Sequence, residues 1–111
     1  MDSNLRRYYE ARSRVIKALA HPTRLFIVDT LAKGEHCVCD LQAMIGADMS
    51  TVSKHLGVLR QAGLVEDEKR GNQVFYHLLM PCMDRFMNCI DEAAQARLAA
   101  ERGIAAGTRS G

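Results

Sequence analysis

The chain has 111 residues, enough for one domain and too few for a second core. It is 48% hydrophobic and 25% charged, ordinary values for a soluble globular protein, and no stretch is long and apolar enough to span a membrane. A net charge of +2 permits nucleic-acid binding without arguing for it, because charge placement matters more than the total.

The first residues, MDSNLRRYYEARSR, carry positive charges with no apolar run behind them. No signal peptide is expected, and the expected compartment is the cytoplasm. There, the four cysteines are expected as thiols or metal ligands rather than structural disulfides. Leu5, Tyr8, Arg12, Val15, Ile16 and Leu19 fall at helical spacing and predict a first helix ending near AHPTR. Pro22 suits the first turn of a second helix, which carries Leu25, Ile27, Val28 and Leu31 and stops at Gly34. After Cys37 and Cys39, the residues Leu41, Met44 and Ile45 mark a short helix closed by Gly46. Asp48 is a good N-cap for a further helix, MSTVSKHLGVLRQAG, buried along Val52, Leu56 and Leu59 and stopped by Gly63.

The stretch LVEDEKRGNQVFYHL reads as two strands around an RGN turn, with Val74, Tyr76 and Leu78 alternating with Phe75 and His77. Pro81 opens a last helix striped with Met83, Phe86, Met87, Ile90 and Ala94. Aromatics are 5% of the chain, so the core is expected to be aliphatic with help from six methionines, and its burial to be completed in an oligomer. The expected organisation is one domain over residues 1–101 and a disordered tail over 102–111. The fold class is mainly α with a β-hairpin. A short helix, a tight turn, a capped helix and a hairpin make a winged helix-turn-helix.

On a helical wheel, the helix after Asp48 turns Ser50, Ser53, Lys54, Gly57 and Gln61 outward, with Thr51 and Arg60 on the flanks. Small hydroxyls, an amide and cations suit a helix lying in the major groove of double-stranded DNA. Any amphipathic surface helix is polar outside, so the wheel alone does not decide. The helix-turn-helix spacing before it and the Lys69, Arg70, Asn72 and Gln73 cluster at the hairpin tip favour the DNA reading. Glu66, Asp67 and Glu68 beside that tip would repel phosphates unless they face away. There is no glycine-rich phosphate loop and no nucleophile–base signature, so an enzyme is not expected.

Four segments in order, ALAHPTRLFIVDTL, CVCDL, STVSKHLGVLRQAGLV and GNQVFYHL, resemble the ArsR/SmtB family of metal-responsive bacterial repressors, from about Val15 to Leu78. The resemblance implies a homodimer joined by its first and last helices. It also implies a repressor that holds a palindromic operator until an inducer binds. By matching position, Ser50, Thr51, Ser53, Lys54 and His55 lie in the recognition helix. On the wheel His55 points to a flank, open to packing or to a phosphate. Gln61 on the same helix and Lys69, Arg70 and Asn72 on the wing complete the expected DNA contacts.

As chemistry, thiolates suit soft ions, among them Zn(II), Cd(II), Pb(II), Cu(I) and As(III). Two sulfurs at i and i+2 point about 200° apart on a helix but share a side on an extended chain. An isolated Cys-X-Cys reads first as two small buried apolar residues. The resemblance makes Cys37 and Cys39 the inducer site. Its arsenite-sensing branch has a third cysteine where Gln42 stands, and its cadmium/lead members add cysteines from an N-terminal arm, of which none precedes Cys37 here. Possible third ligands are Cys82, Cys89, His36 or a non-protein group. Cys82 and Cys89, seven residues apart, share a helix face and read as interface packing ahead of ligation. The family's zinc positions across the last helix fall here on Met80, Cys82, Ala93 and Ala96, so a zinc sensor of that type is not expected. The expected inducer is As(III), with Sb(III) beside it, and no resident cofactor is required. Alternatives are Cd(II) or Pb(II), or a thiol-redox or persulfide switch joining Cys37 or Cys39 with Cys82 or Cys89.

Overall fold

A computed structural model describes residues 1–103; most of the expected tail, from 104 on, lies outside the described residues. They fall into two compact units, Met1–Pro81 and the segment from Cys82 onward. Among the described residues no helix is long and apolar enough to cross a membrane.

Helix α1 (Ser3–Leu19) is capped by Asp2, whose carboxylate accepts from the Leu5 amide at 2.8 Å. Helix α2 (Pro22–Ala32) begins on Pro22, whose missing N–H is no loss in a first turn. His21 caps it through Nδ1, which accepts from the Thr23 amide at 3.1 Å. The next segment departs from the sequence reading. His36–Cys37 forms a short strand, β1, before helix α3 (Val38–Ile45). Gly46, at φ +77°, closes α3 in a left-handed conformation that residues with a Cβ rarely adopt.

Asp48 then caps helix α4 (Met49–Gln61), accepting from the Thr51 amide at 2.7 Å. The Thr51 hydroxyl first, then that amide bond and the Ser50 hydroxyl, hold the Asp48 carboxyl below its ordinary pKa. Strands β2 (Val65–Arg70) and β3 (Gln73–Leu78) form the hairpin, with Arg70 opposite Gln73 and the two-residue loop Gly71-Asn72 between them. Gly71 supplies the positive φ, +63°, that such a loop needs. The sheet order is β1-β3-β2, antiparallel throughout, with His36 opposite Tyr76 and Cys37 opposite Phe75.

The core of the first unit is aliphatic, as the composition requires. Ile27, Val28, Leu41, Val52, Leu56, Leu59 and Leu64 are at most 2% exposed. The stripe expected on α4 is the buried one, and it seats α4 against α2 and α3. On α1 the apolar positions Leu5, Tyr8 and Ile16 are exposed. The second unit is helix α5 (Met83–Glu101), which starts two residues after Pro81. Met83 and Met87 are buried, while Phe86 and Ile90 of the expected stripe are exposed.

Candidate nucleic-acid interface and thiol site

Helices α3 and α4 are joined by Gly46, Ala47 and Asp48, a three-residue turn of helix-turn-helix length. Gln42, where the arsenite branch places a third cysteine, spans this turn: its amide donates to the Ala47 carbonyl at 3.4 Å. The outer face of α4 presents Ser50, Thr51, Ser53, Lys54 and Gln61, all exposed. Ser50 is oriented by its own hydroxyl, which donates to Asp48 at 3.0 Å. A Cβ built on Gly57 would meet nothing within 4 Å among the described residues, so none of them requires glycine there.

His55 packs within the fold. Its ring lies 4.3 Å from that of His21, and its Nδ1 is 3.2 Å from Arg24 Nη1. Arg24 also donates from Nε to the Ala18 carbonyl and from Nη2 to the Lys17 carbonyl at 3.5 Å. The end of α1, the start of α2 and the middle of α4 are thus joined at one point. A guanidinium only donates, so Nδ1 must accept, and His55 is neutral there. Burial first, then His21 and Arg24, hold the His55 pKa below its ordinary value.

Above about pH 6.5 the His55 ring is neutral in both folded and unfolded chains and the cluster is intact. As pH falls toward the depressed folded value, the unfolded chain takes the proton first and stability is lost. Urea melts between pH 7 and pH 5 are expected to show a falling midpoint, with a shallower fall in His55→Gln. An equal fall in both proteins would mean that His55 is not the titrating group.

Each carboxylate of the acidic run has a partner within the wing or its surroundings. Glu66 lies opposite His77, with Oε1 3.4 Å from Nε2. Asp67 pairs with Arg60 of α4 at 3.3 Å, and Glu68 with Arg70 at 2.7 Å. Two of the three carboxylates thus face a guanidinium, which lessens the repulsion they would offer a phosphate. Arg70 is occupied as well: Glu35 reaches it at 2.7 Å and its guanidinium sits 4.5 Å over the Phe75 ring. Lys69 and Asn72 are exposed at the tip.

Cys37 is 6% exposed and Cys39 is exposed. Cys37 is the N-cap of α3, with its sulfur accepting from the Asp40 amide at 3.4 Å. Cys39 sits in the first turn of α3. His36 lies 3.8 Å from Asp40. No three His, Cys, Asp or Glu side chains among the described residues come together as a metal-holding group. In this conformation the pair does not fit a three-donor site, and the two sulfurs face different surroundings. Cys82 and Cys89 are exposed free thiols of the second unit.

A family profile described as "Bacterial regulatory protein, arsR family" matches residues 21–67. The chain is also 41% identical over 81 residues to the "Arsenical resistance operon repressor" of Escherichia coli, a match covering 72% of this chain and 69% of that protein. The chain belongs to the ArsR family.

This ArsR-family chain is also similar to the "Biofilm growth-associated repressor" of Xylella fastidiosa, 44% identical over 66 residues. That match covers 60% of this chain and 58% of the Xylella protein, less than two-thirds of its length. The fold is that of the homodimeric winged helix-turn-helix DNA-binding domain of a possible ArsR-family regulator from Mycobacterium bovis. The TM-score is 0.77 at 29% identity, over 90% of this chain and 93% of that one. The fold is therefore a winged helix-turn-helix, with β1 as the third strand of the wing sheet.

Proposed function

We propose that this ArsR-family chain is a transcriptional repressor that binds double-stranded operator DNA as a homodimer and leaves it when a thiophilic inducer reacts at Cys37 and Cys39. The observation that carries the DNA-binding part is the outer face of α4, where exposed hydroxyls, an ammonium and an amide stand around a bare glycine. Gly57 costs the helix about 1 kcal/mol relative to alanine. No packing among the described residues returns that cost, and close approach of DNA accounts for it. Ser50, Thr51, Ser53, Lys54 and Gln61 contact DNA from the helix, and Lys69 and Asn72 from the wing. The homodimer places two such helices on a palindrome. The exposed apolar positions of α1 and α5 are the surfaces it would cover.

Arsenite, with antimonite beside it, is the first inducer, supported by two adjacent thiols at a helix start and by the similarity to the arsenical repressor. Bringing both sulfurs to one ion requires Cys37 to leave its cap on Asp40 and the first turn of α3 to open. Helix α3 packs on α4, so the opening disturbs the reading helix. The inducer needs only a higher affinity for that opened state. A third donor would come from His36 or a non-protein group.

The second reading is a redox or persulfide switch at the same thiols. Gln42 in place of a third cysteine favours it. One titration separates them. An operator is selected from random-sequence DNA, and release is followed against arsenite, antimonite, cadmium, lead, zinc and a persulfide donor. Release by arsenite at the lowest concentration supports the first reading; release by the persulfide donor alone supports the second. Failure to bind any selected DNA in a salt-sensitive manner contradicts the whole proposal.

A further inference from the structure

The strand β1 has two residues and two paired positions. So short a ladder holds little by itself, yet it carries Cys37 in a buried position. The side chains around it form a closed circuit. Glu35, just before β1, contacts Arg70 of β2 twice, Oε2 to Nη1 at 2.7 Å and Oε1 to Nη2 at 3.3 Å. Arg70 is steadied by Glu68, which accepts from Nε at 3.1 Å and from Nη2 at 2.7 Å. The guanidinium lies over Phe75, and Phe75 is the residue that pairs with Cys37 across β1 and β3. The circuit therefore runs from Cys37 to Phe75, to Arg70, to Glu35, and back along the chain to Cys37.

We infer that the Glu35–Arg70 pair is a latch that holds the Cys37 segment to the wing, which makes the wing a second output of the thiol switch. Arg70 is then a positioning residue, its donors turned to Glu35 and Glu68 rather than offered to phosphate. Opening of the Cys37 cap is felt by α4 through α3 and by the wing through the latch. An isolated pair this exposed contributes little. Two carboxylates and an aromatic face on one guanidinium form a network, where the effect is larger and the geometry fixed. The inference rests on the reading of Cys37 and Cys39 as the input.

The test compares Glu35→Gln, Arg70→Gln and the double variant in the full chain. Without DNA or inducer, alkylation by iodoacetamide is followed at Cys37 by peptide fragmentation in a mass spectrometer, with exposed Cys39 as internal reference. The latch predicts that each single variant raises the Cys37-to-Cys39 rate ratio by about two- to fivefold, the range of a pair in such a network. The double variant then rises no further than the larger single. A purely through-space effect on the thiol would move the two singles in opposite directions, since one removes a negative and the other a positive charge. Opposite shifts, no shift, or multiplying effects in the double variant overturn the latch.

In a second arm, the ratio of operator affinity without and with arsenite is expected to fall in both singles, equally in the double. An unchanged ratio overturns the wing as an output. If no thiol reagent releases the unaltered protein, the switch reading itself fails. The alkylation arm still decides the latch in that case.

Discussion

Lys54→Glu is expected to abolish operator binding while leaving the fold intact. The position is exposed on the outer face of α4, away from the buried Val52, Leu56 and Leu59. Exchanging an ammonium for a carboxylate removes one attraction to the phosphate backbone and adds a repulsion where the helix approaches DNA. A loss of a hundredfold or more at about 0.1 M salt follows if two such terms of roughly 1–3 kcal/mol act together. Lys54→Gln removes only the attraction and is expected to lose roughly tenfold, with a shallower dependence on salt. Fluorescence anisotropy against labelled operator, with circular dichroism as the control for folding, reads both variants. Operator affinity unchanged in Lys54→Glu would remove α4 as the reading helix.

Leu56→Ala acts on the same helix from its other side. Leu56 is 0% exposed between its stripe partners Val52 and Leu59. Truncating it removes the transfer free energy of the side chain and leaves a cavity that the stiff helix packing around α4 cannot close. The expected loss is about 2–5 kcal/mol, a large part of the stability of a domain this size. Thermal unfolding should fall by on the order of 10 °C, and operator binding should be lost only where the protein has unfolded. A loss under about 1 kcal/mol in denaturant melts would mean that α4 is not held through this stripe.

The parts of the fold that sequence expressed were those set by local chemistry. Asp48 before MSTVSKHL, Gly46 and Gly63 at the helix ends, Pro22 in a first turn and the RGN hairpin loop each act within a few residues, and the structure places each where the spacing put it. Strand β1 was not legible. Two residues give no periodicity, and its partner β3 lies almost forty positions on in the chain. The pairing of Glu35 with Arg70 is equally long-range. Lys69 and Arg70 stand side by side and look alike in the sequence, yet only Arg70 is drawn down onto Phe75 between two carboxylates. His55 fell on the flank of the wheel, where helical spacing alone leaves packing and phosphate contact equal. The structure shows its contacts with His21 and Arg24, and neither partner lies on its own helix.

For the thiols, the sequence expressed the ligand chemistry but not the resting geometry. Cys-X-Cys at the start of a helix was visible in CVCDL. That Cys37 is the cap and buried, while Cys39 faces outward, depends on β1 forming. The resting pair is therefore divided between two surroundings. In the proposed mechanism a ligand that joins both sulfurs opens the first turn of α3, and that opening links inducer to DNA.

The most direct test is operator release by arsenite in the Cys37→Ser plus Cys39→Ser protein. Serine keeps an oxygen that can cap Asp40, so the variant should fold and bind operator as the unaltered protein does. With the two thiols as the input, operator affinity stays unchanged and arsenite causes no release at concentrations that fully release the unaltered protein. A double-serine protein that still leaves the operator on arsenite addition would contradict the thiol pair as the inducer site.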